Sequence, residues 1–120
     1  MVDLWFSEYH TEDVRFSIKV EPLYSEQTKF QRIDFFRNPT FGTFFTLDGF
    51  IMMTEKDEFI YHEMICHPAF ATNPGIQKVL IIGGGDGGTA REVARYPTVQ
   101  RIDLVEIDER VVRLCQRYLP

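Results

Sequence analysis

The sequence predicts an α/β fold in which a small N-terminal antiparallel β domain precedes the first half of a doubly wound parallel domain. Three observations predict it. A Phe-, Ile-, Val- and Thr-rich stretch from Phe16 to Thr54 is cut by the turn signals Asn38-Pro39 and Asp48-Gly49 into strand-length runs. The apolar run Val79-Leu80-Ile81-Ile82 leads directly into Gly83-Gly84-Gly85-Asp86-Gly87-Gly88 and then into helix formers. A second short strand, Ile102-Asp103-Leu104-Val105, ends on Glu106 and is followed by another helical pattern.

In chain order, the β domain comes first. Asp48-Gly49 between Thr43–Leu47 and Phe50–Thr54 is a two-residue hairpin signal, because a type I′ turn needs positive φ at both positions. Phe35, Phe36, Phe44 and Phe45 read as core or as oligomer contacts. Glu55 to His67 contains neither Gly nor Pro and opens with acidic residues suited to a helix N-terminus, so a helix is expected there, stopped by Pro68. That helix closes a domain over residues 1–70, and Pro68 to Gly75 reads as the linker to a second domain over residues 76–120.

In the second domain, Val79–Ile82 has the composition of a strand buried on both faces, Thr89 to Arg95 of a helix ended by Pro97. Asp108 is placed to cap a last helix whose Val111, Val112, Cys115 and Leu119 recur at helical spacing, with Arg110, Arg113 and Arg117 as its solvated side. This β-α-β-α order, with G-x-G-x-x-G at Gly83, Gly85 and Gly88, is the opening of a Rossmann-like nucleotide-binding domain. Two parallel strands and two helices do not close such a sheet, so the domain is expected to be incomplete.

Composition narrows the classes. With 44% hydrophobic and 14% aromatic residues the chain has material for a packed core. No apolar run reaches the ~18 residues of a membrane span, and the N-terminus lacks the basic and apolar regions of a secretory signal, so no membrane partner and a cytoplasmic location are expected. The net charge of −5 divides into −6 for residues 1–74 and +1 for the remainder, which argues against a nucleic-acid partner. Cys66 and Cys115 are far apart and in no metal-ligand spacing; both are read as reduced and structural, with no metal expected.

The glycine loop specifies the ligand further. Its glycines permit a tight turn and close approach of a ligand, and Glu106, eighteen positions after Gly88, is placed to accept hydrogen bonds from ribose hydroxyls. Asp86 lies within the loop on which a dinucleotide's pyrophosphate would rest. Like charges about 4 Å apart repel by ~4 kcal/mol at an effective dielectric near 20, or roughly three powers of ten in affinity. A phosphate-free adenosyl ligand carrying positive charge gains from the same carboxylate, and S-adenosylmethionine and its relatives are such ligands.

Gly83–Gly88 followed by Arg91-Glu92, Val105-Glu106-Ile107-Asp108, Leu47-Asp48-Gly49 and the string Thr54 to Met64 together resemble the spermidine synthase family of aminopropyltransferases, from about Trp5 to Pro120. The resemblance implies transfer of the aminopropyl group of decarboxylated S-adenosylmethionine, a co-substrate, to putrescine, giving spermidine and 5′-methylthioadenosine without a metal or a further cofactor. It implies that Gln31 and Glu106 hold the adenosyl moiety, that Asp86 holds the aminopropyl amine, and that Tyr61 and His62 form the polyamine side. The catalytic base is expected beyond Pro120, with Tyr61 the possible catalytic group before it. A homodimer or homotetramer formed through the N-terminal β region is implied as well.

Two departures from the family pattern stand out. Pro68 falls one place early, which bears on where the helix ends, and family members continue for well over another hundred residues, so the 120 residues alone are expected to be inactive. The alternatives are a methyltransferase using ordinary S-adenosylmethionine, against which Asp86 and the Tyr61-His62 helix argue, and a noncatalytic adenosyl-binding piece.

Overall fold

The computed structural model describes residues 2–119, which divide into two compact units, residues 2–57 and 58–118. Each is built from its own core.

In the first unit an antiparallel hairpin of β1 (Trp5–Tyr9) and β2 (Arg15–Lys19) accompanies a four-stranded antiparallel meander of β3 (Glu21–Gln27), β4 (Arg32–Asn38), β5 (Gly42–Leu47) and β6 (Phe50–Thr54). Strand β1 lies before the stretch that sequence reading marked as strand-rich. The β5–β6 turn has the expected geometry, with φ of 49° at Asp48 and 83° at Gly49. Asp48 also ties the turn to β4, its Oδ1 accepting the Arg32 N–H at 2.8 Å and its own N–H donating to the Arg32 carbonyl at 2.9 Å. Ile33, Phe35, Phe44 and Phe45 are buried, and Phe35 stacks on Phe45 with centroids 5.3 Å apart. Phe36 is half-buried and packs between Phe6 at 5.2 Å and Phe44 at 5.4 Å. The N–H of Ile51 donates to Glu8 Oε2 at 2.6 Å, fastening the hairpin to the meander.

The second unit consists of α1 (Glu58–Thr72), β7 (Lys78–Ile82), α2 (Gly88–Val93), β8 (Arg101–Val105) and α3 (Glu109–Tyr118), with β7 and β8 parallel and in register from Lys78↔Arg101 to Ile82↔Val105. Helix α1 corrects three expectations. It starts at Glu58 rather than Glu55, because residues 55–57 form a turn in which Thr54 Oγ1 donates to Asp57 Oδ1 at 2.5 Å. It passes through Pro68 to Thr72 instead of stopping. A proline inside a helix costs about 3 kcal/mol through its missing N–H and ring clash. The offset comes from packing on both sides of it: Cys66 and Phe70 join Val93 in a buried cluster, and Phe70 stacks on Tyr96 at 3.7 Å.

Helix α1 therefore does not close the β domain. It belongs to the second unit, and the link from α1 to β7 shrinks from the expected eight residues to the turn over residues 73–77, with Asn73 Oδ1 accepting the Gly75 N–H at 3.1 Å.

The expectation that β7 is buried on both faces is also corrected. Val79, Ile81, Ile102 and Leu104 are covered at least in part, whereas Leu80, Ile82 and Val105 are exposed. A parallel strand is buried on both faces only when helices cover both; among the described residues only one side is covered. Helix α3 is capped as expected, the Arg110 N–H donating to Asp108 Oδ1 at 3.1 Å. Its buried residues are Val111, Leu114 and Cys115, with Val112 half-buried, so Leu114 joins the face that spacing had assigned.

Both cysteines are free and buried. Burial raises the Cys66 thiol, with Glu92 adding to it, and pushes Cys115 up to about 12, with Asp86 and Glu106 contributing in the same direction. A thiol pKa near 12 leaves roughly one thiol in 10⁴ ionised at pH 8. Ellman's reagent at pH 8 is thus expected to leave both cysteines unmodified in the folded chain and to titrate both in guanidinium. Rapid native labelling of Cys115 would contradict its burial.

No helix among the described residues is long and apolar enough to cross a membrane.

Candidate adenosyl and amine site

The glycine loop begins where β7 runs out. The Gly83 N–H extends the parallel ladder by donating to the Val105 carbonyl at 2.7 Å, and φ of 79° at Gly83 then turns the chain into a region that a side chain disfavours. Two turns of the loop place the expected carboxylates. The Gly85 N–H donates to Glu106 Oε2 at 3.2 Å, and a Cβ at Gly85 would lie 3.0 Å from Glu106 Cγ. Glu106, at the end of β8, is thereby held against the loop backbone. Asp86 Oδ1 accepts the Gly88 N–H at 2.8 Å, which fixes the carboxylate over the start of α2.

The third glycine of the fingerprint serves a side chain rather than a ligand. A Cβ at Gly88 would lie 2.1 Å from Cε1 and 2.2 Å from Nδ1 of His62, so the imidazole occupies the space that any larger residue would need. His62, on α1, is 3% exposed. Its Nδ1 is hydrogen-bonded to Glu58 Oε2, one turn earlier on α1, and its Nε2 lies 3.4 Å from Asp86 Oδ1. Tyr61 is exposed, with its ring edge-on to that of His62 and centroids 5.4 Å apart.

Of the residues read from sequence, Tyr61, His62, Asp86, Glu106 and the three glycines fall within the second unit. Gln31 belongs to the first. It lies in the turn before β4, where its N–H donates to Thr28 Oγ1 at 3.1 Å and its carbonyl accepts the Thr28 N–H at 2.9 Å.

Sequence reading assigned no role to Glu58, Arg91 or Glu92; Glu58 contacts His62 directly, and Arg91 joins Glu58 to Glu92. Arg91 Nη2 donates to Glu58 Oε2 at 2.9 Å and its Nε to Glu92 Oε2 at 3.0 Å. Burial raises the Glu58 carboxyl, but hydrogen bonds from Arg91 and His62 outweigh it and leave the group below its usual range. The same contacts raise Arg91. A signal was present in the sequence, since Glu58 and His62 stand at i and i+4, the spacing at which helical side chains meet.

A second cluster lies beside this one. His67 Nε2 is 3.3 Å from the buried Glu92 Oε1 and 3.9 Å from Glu63 Oε1, a donor set that could surround a metal ion. Two guanidiniums, of Arg91 at 3.0 Å and Arg95 at 3.3 Å, already neutralise Glu92 through its other oxygen. The Arg91 hydrogen bond is the main influence holding the Glu92 carboxyl low. With two fixed cations so close, the group is an ion-pair network that ties α1 to α2.

Comparison with known proteins places these features in context. A family model described as the spermine/spermidine synthase domain matches residues 58–120, and one described as the spermidine synthase tetramerisation domain matches residues 4–55, so the boundary between the two compact units falls between the two models. Polyamine aminopropyltransferases from Clostridium acetobutylicum and Alkaliphilus oremlandii are 71% and 63% identical over 120 residues, 99% of this chain and 42% of each relative. A crystal structure of spermidine synthase from Thermotoga maritima matches with TM-score 0.93 and 48% identity, over 97% of this chain and 41% of that one. A structure of spermidine synthase in complex with the transition-state analogue AdoDATO matches with the same TM-score and identity, over 40% of its chain. The chain thus spans less than half the length of the curated relatives it matches.

Proposed function

Because the chain belongs to the spermine/spermidine synthase family, we propose that it forms the adenosyl- and amine-binding part of an aminopropyltransferase that converts decarboxylated S-adenosylmethionine and putrescine to spermidine and 5′-methylthioadenosine. The observation that carries this reading is Asp86. Its carboxylate is oriented by the Gly88 N–H and faced by His62, within the loop where a phosphate would otherwise rest. That arrangement favours a ligand with an ammonium there and opposes a dinucleotide.

In this reading Glu106 accepts from the ribose hydroxyls, Gln31 supports the adenosyl moiety, and Tyr61 with His62 borders the polyamine. The putrescine nitrogen, as the neutral amine, attacks the carbon next to the sulfonium; the new N–C bond forms as the C–S bond breaks, its electron pair stays on sulfur, and the ammonium formed releases a proton. The residues of this chain orient that in-line approach and neutralise the spectator amine. The first unit, matched by a tetramerisation model and presenting Trp5 and Phe50 largely exposed, would bring copies together as a homodimer or homotetramer. The enzyme would act in the cytoplasm.

The test uses a chain carrying these residues at the full length of its relatives. Supplied with putrescine and decarboxylated S-adenosylmethionine, it is expected to form methylthioadenosine, followed by chromatography. Formation of S-adenosylhomocysteine from ordinary S-adenosylmethionine, with no aminopropyl transfer, would overturn the proposal in favour of methyl transfer. Glu106 is checked separately. A site that hydrogen-bonds a ribose hydroxyl rejects the deoxy analogue, so methylthioadenosine is expected to bind more tightly than its 2′- and 3′-deoxy forms, and Glu106→Gln to blunt the difference. Equal affinities in the unsubstituted protein would remove Glu106 from the site.

A further inference from the structure

Asp86 is oriented through one oxygen. Both the Gly88 N–H, at 2.8 Å, and His62 Nε2, at 3.4 Å, approach Oδ1, so neither contact uses Oδ2. What aims His62 at Asp86 is not Asp86 itself. The ring is wedged against Gly88, which sets its place, and its Nδ1 is bonded to Glu58, which sets its rotation and turns Nε2 toward Asp86. Glu58 is held in turn by the Arg91 guanidinium at 2.9 Å. The result is a continuous line of charged and polar groups, Arg91 to Glu58 to His62 to Asp86, crossing from α2 through α1 to the glycine loop.

We infer that Glu58, braced by Arg91, is a positioning residue for the amine-binding carboxylate: through His62 it orients Asp86 so that Oδ2 is presented to a primary ammonium group of the ligand. Without the Glu58 carboxylate, the imidazole loses the partner that fixes its rotation, and Nε2 is no longer held 3.4 Å from Asp86 Oδ1. The inference rests on the proposed function for the identity of the cation. The contacts that suggest it are independent of that identity.

The experiment is calorimetry on the full-length protein with two ligands that differ in the amine: decarboxylated S-adenosylmethionine, which has it, and methylthioadenosine, which lacks it. Glu58→Gln is expected to weaken the amine-bearing ligand roughly tenfold, the size of one charge-assisted hydrogen bond lost, while changing methylthioadenosine less than about twofold. In an Asp86→Asn background the same substitution is expected to have no further effect on either ligand, since the group it orients has been removed. A merely structural role for Glu58 would weaken both ligands alike and would add to Asp86→Asn; either result overturns the inference. Should E58Q fail to fold, Arg91→Gln, one step further along the line, is expected to show the same selectivity with a smaller loss, and equal weakening there is equally fatal. If the unsubstituted protein binds neither ligand, the proposed function falls and this inference with it. If the unsubstituted protein discriminates between them and E58Q does not alter that, this inference alone falls.

Discussion

Gly88→Ala is expected to unseat His62. A methyl group at position 88 would stand 2.1 to 2.5 Å from three atoms of the imidazole ring, closer than any relaxed contact permits, and the ring is buried and bonded at Nδ1. Overpacking typically costs 1–3 kcal/mol, and because the ring must leave altogether, breaking its contacts to Glu58 and Asp86, about 3 kcal/mol or more is expected here. For a unit of this size that lowers Tm by roughly 10 °C or more. The check is a double-mutant cycle by thermal unfolding: His62→Ala/Gly88→Ala should be markedly more stable than the sum of the two single effects, because removing the imidazole makes room for the methyl. Additive effects, or a G88A protein within about 2 °C of the unsubstituted one, would mean that the ring does not depend on the missing side chain.

The second large effect concerns ligand choice. Asp86→Asn retains an oxygen able to accept the Gly88 N–H, so the loop geometry should persist while the charge is lost. A hydrogen bond to a charged group contributes about 1.5–3 kcal/mol, hence decarboxylated S-adenosylmethionine should bind on the order of 10- to 10²-fold more weakly, and methylthioadenosine, which lacks the ammonium, within about threefold of its original affinity. Calorimetry with the two ligands in parallel reads the contrast directly. Equal weakening would take Asp86 out of contact with the amine and leave it as a loop-capping residue.

These two experiments probe different kinds of information. Asp86 is proposed from the chain because its position inside a glycine loop has chemical consequences that need no coordinates: a negative charge where phosphate would sit changes which ligands are admissible. Gly88 was legible only in part. The fingerprint explains why a glycine stands there in terms of close packing, but that the packed object is the ring of His62, twenty-six positions earlier, follows from the approach of α1 to α2. The network of Glu58, Arg91 and Glu92 was missed for the same reason. Each is an ordinary charged residue in a helical stretch, and only the meeting of two helices turns Arg91 and Glu58 into a line that reaches Asp86 through His62 and joins Glu92 to Arg91 beside it.

Helix α1 shows the opposite failure, where a sound local rule was overridden. Proline is a helix breaker on local grounds, and reading Pro68 as a stop gave both the wrong helix end and the wrong domain for the helix. Burial of Cys66 and Phe70 on either side of it, against Val93 and Tyr96, outweighs the lost hydrogen bond.

By itself the sequence determined the class of fold, the hairpin at Asp48-Gly49, the β-α-β-α order, the glycine loop and the carboxylates at positions 86 and 106, since each depends on dihedral preference, periodicity or charge within a short span. The tertiary structure alone decided that α1 packs with the nucleotide-binding unit, that one face of β7 is uncovered among the described residues, and that His62 is held between Glu58 and Asp86. These depend on which apolar faces meet and which charges are desolvated together, and such energies belong to pairs of distant residues rather than to any stretch of chain.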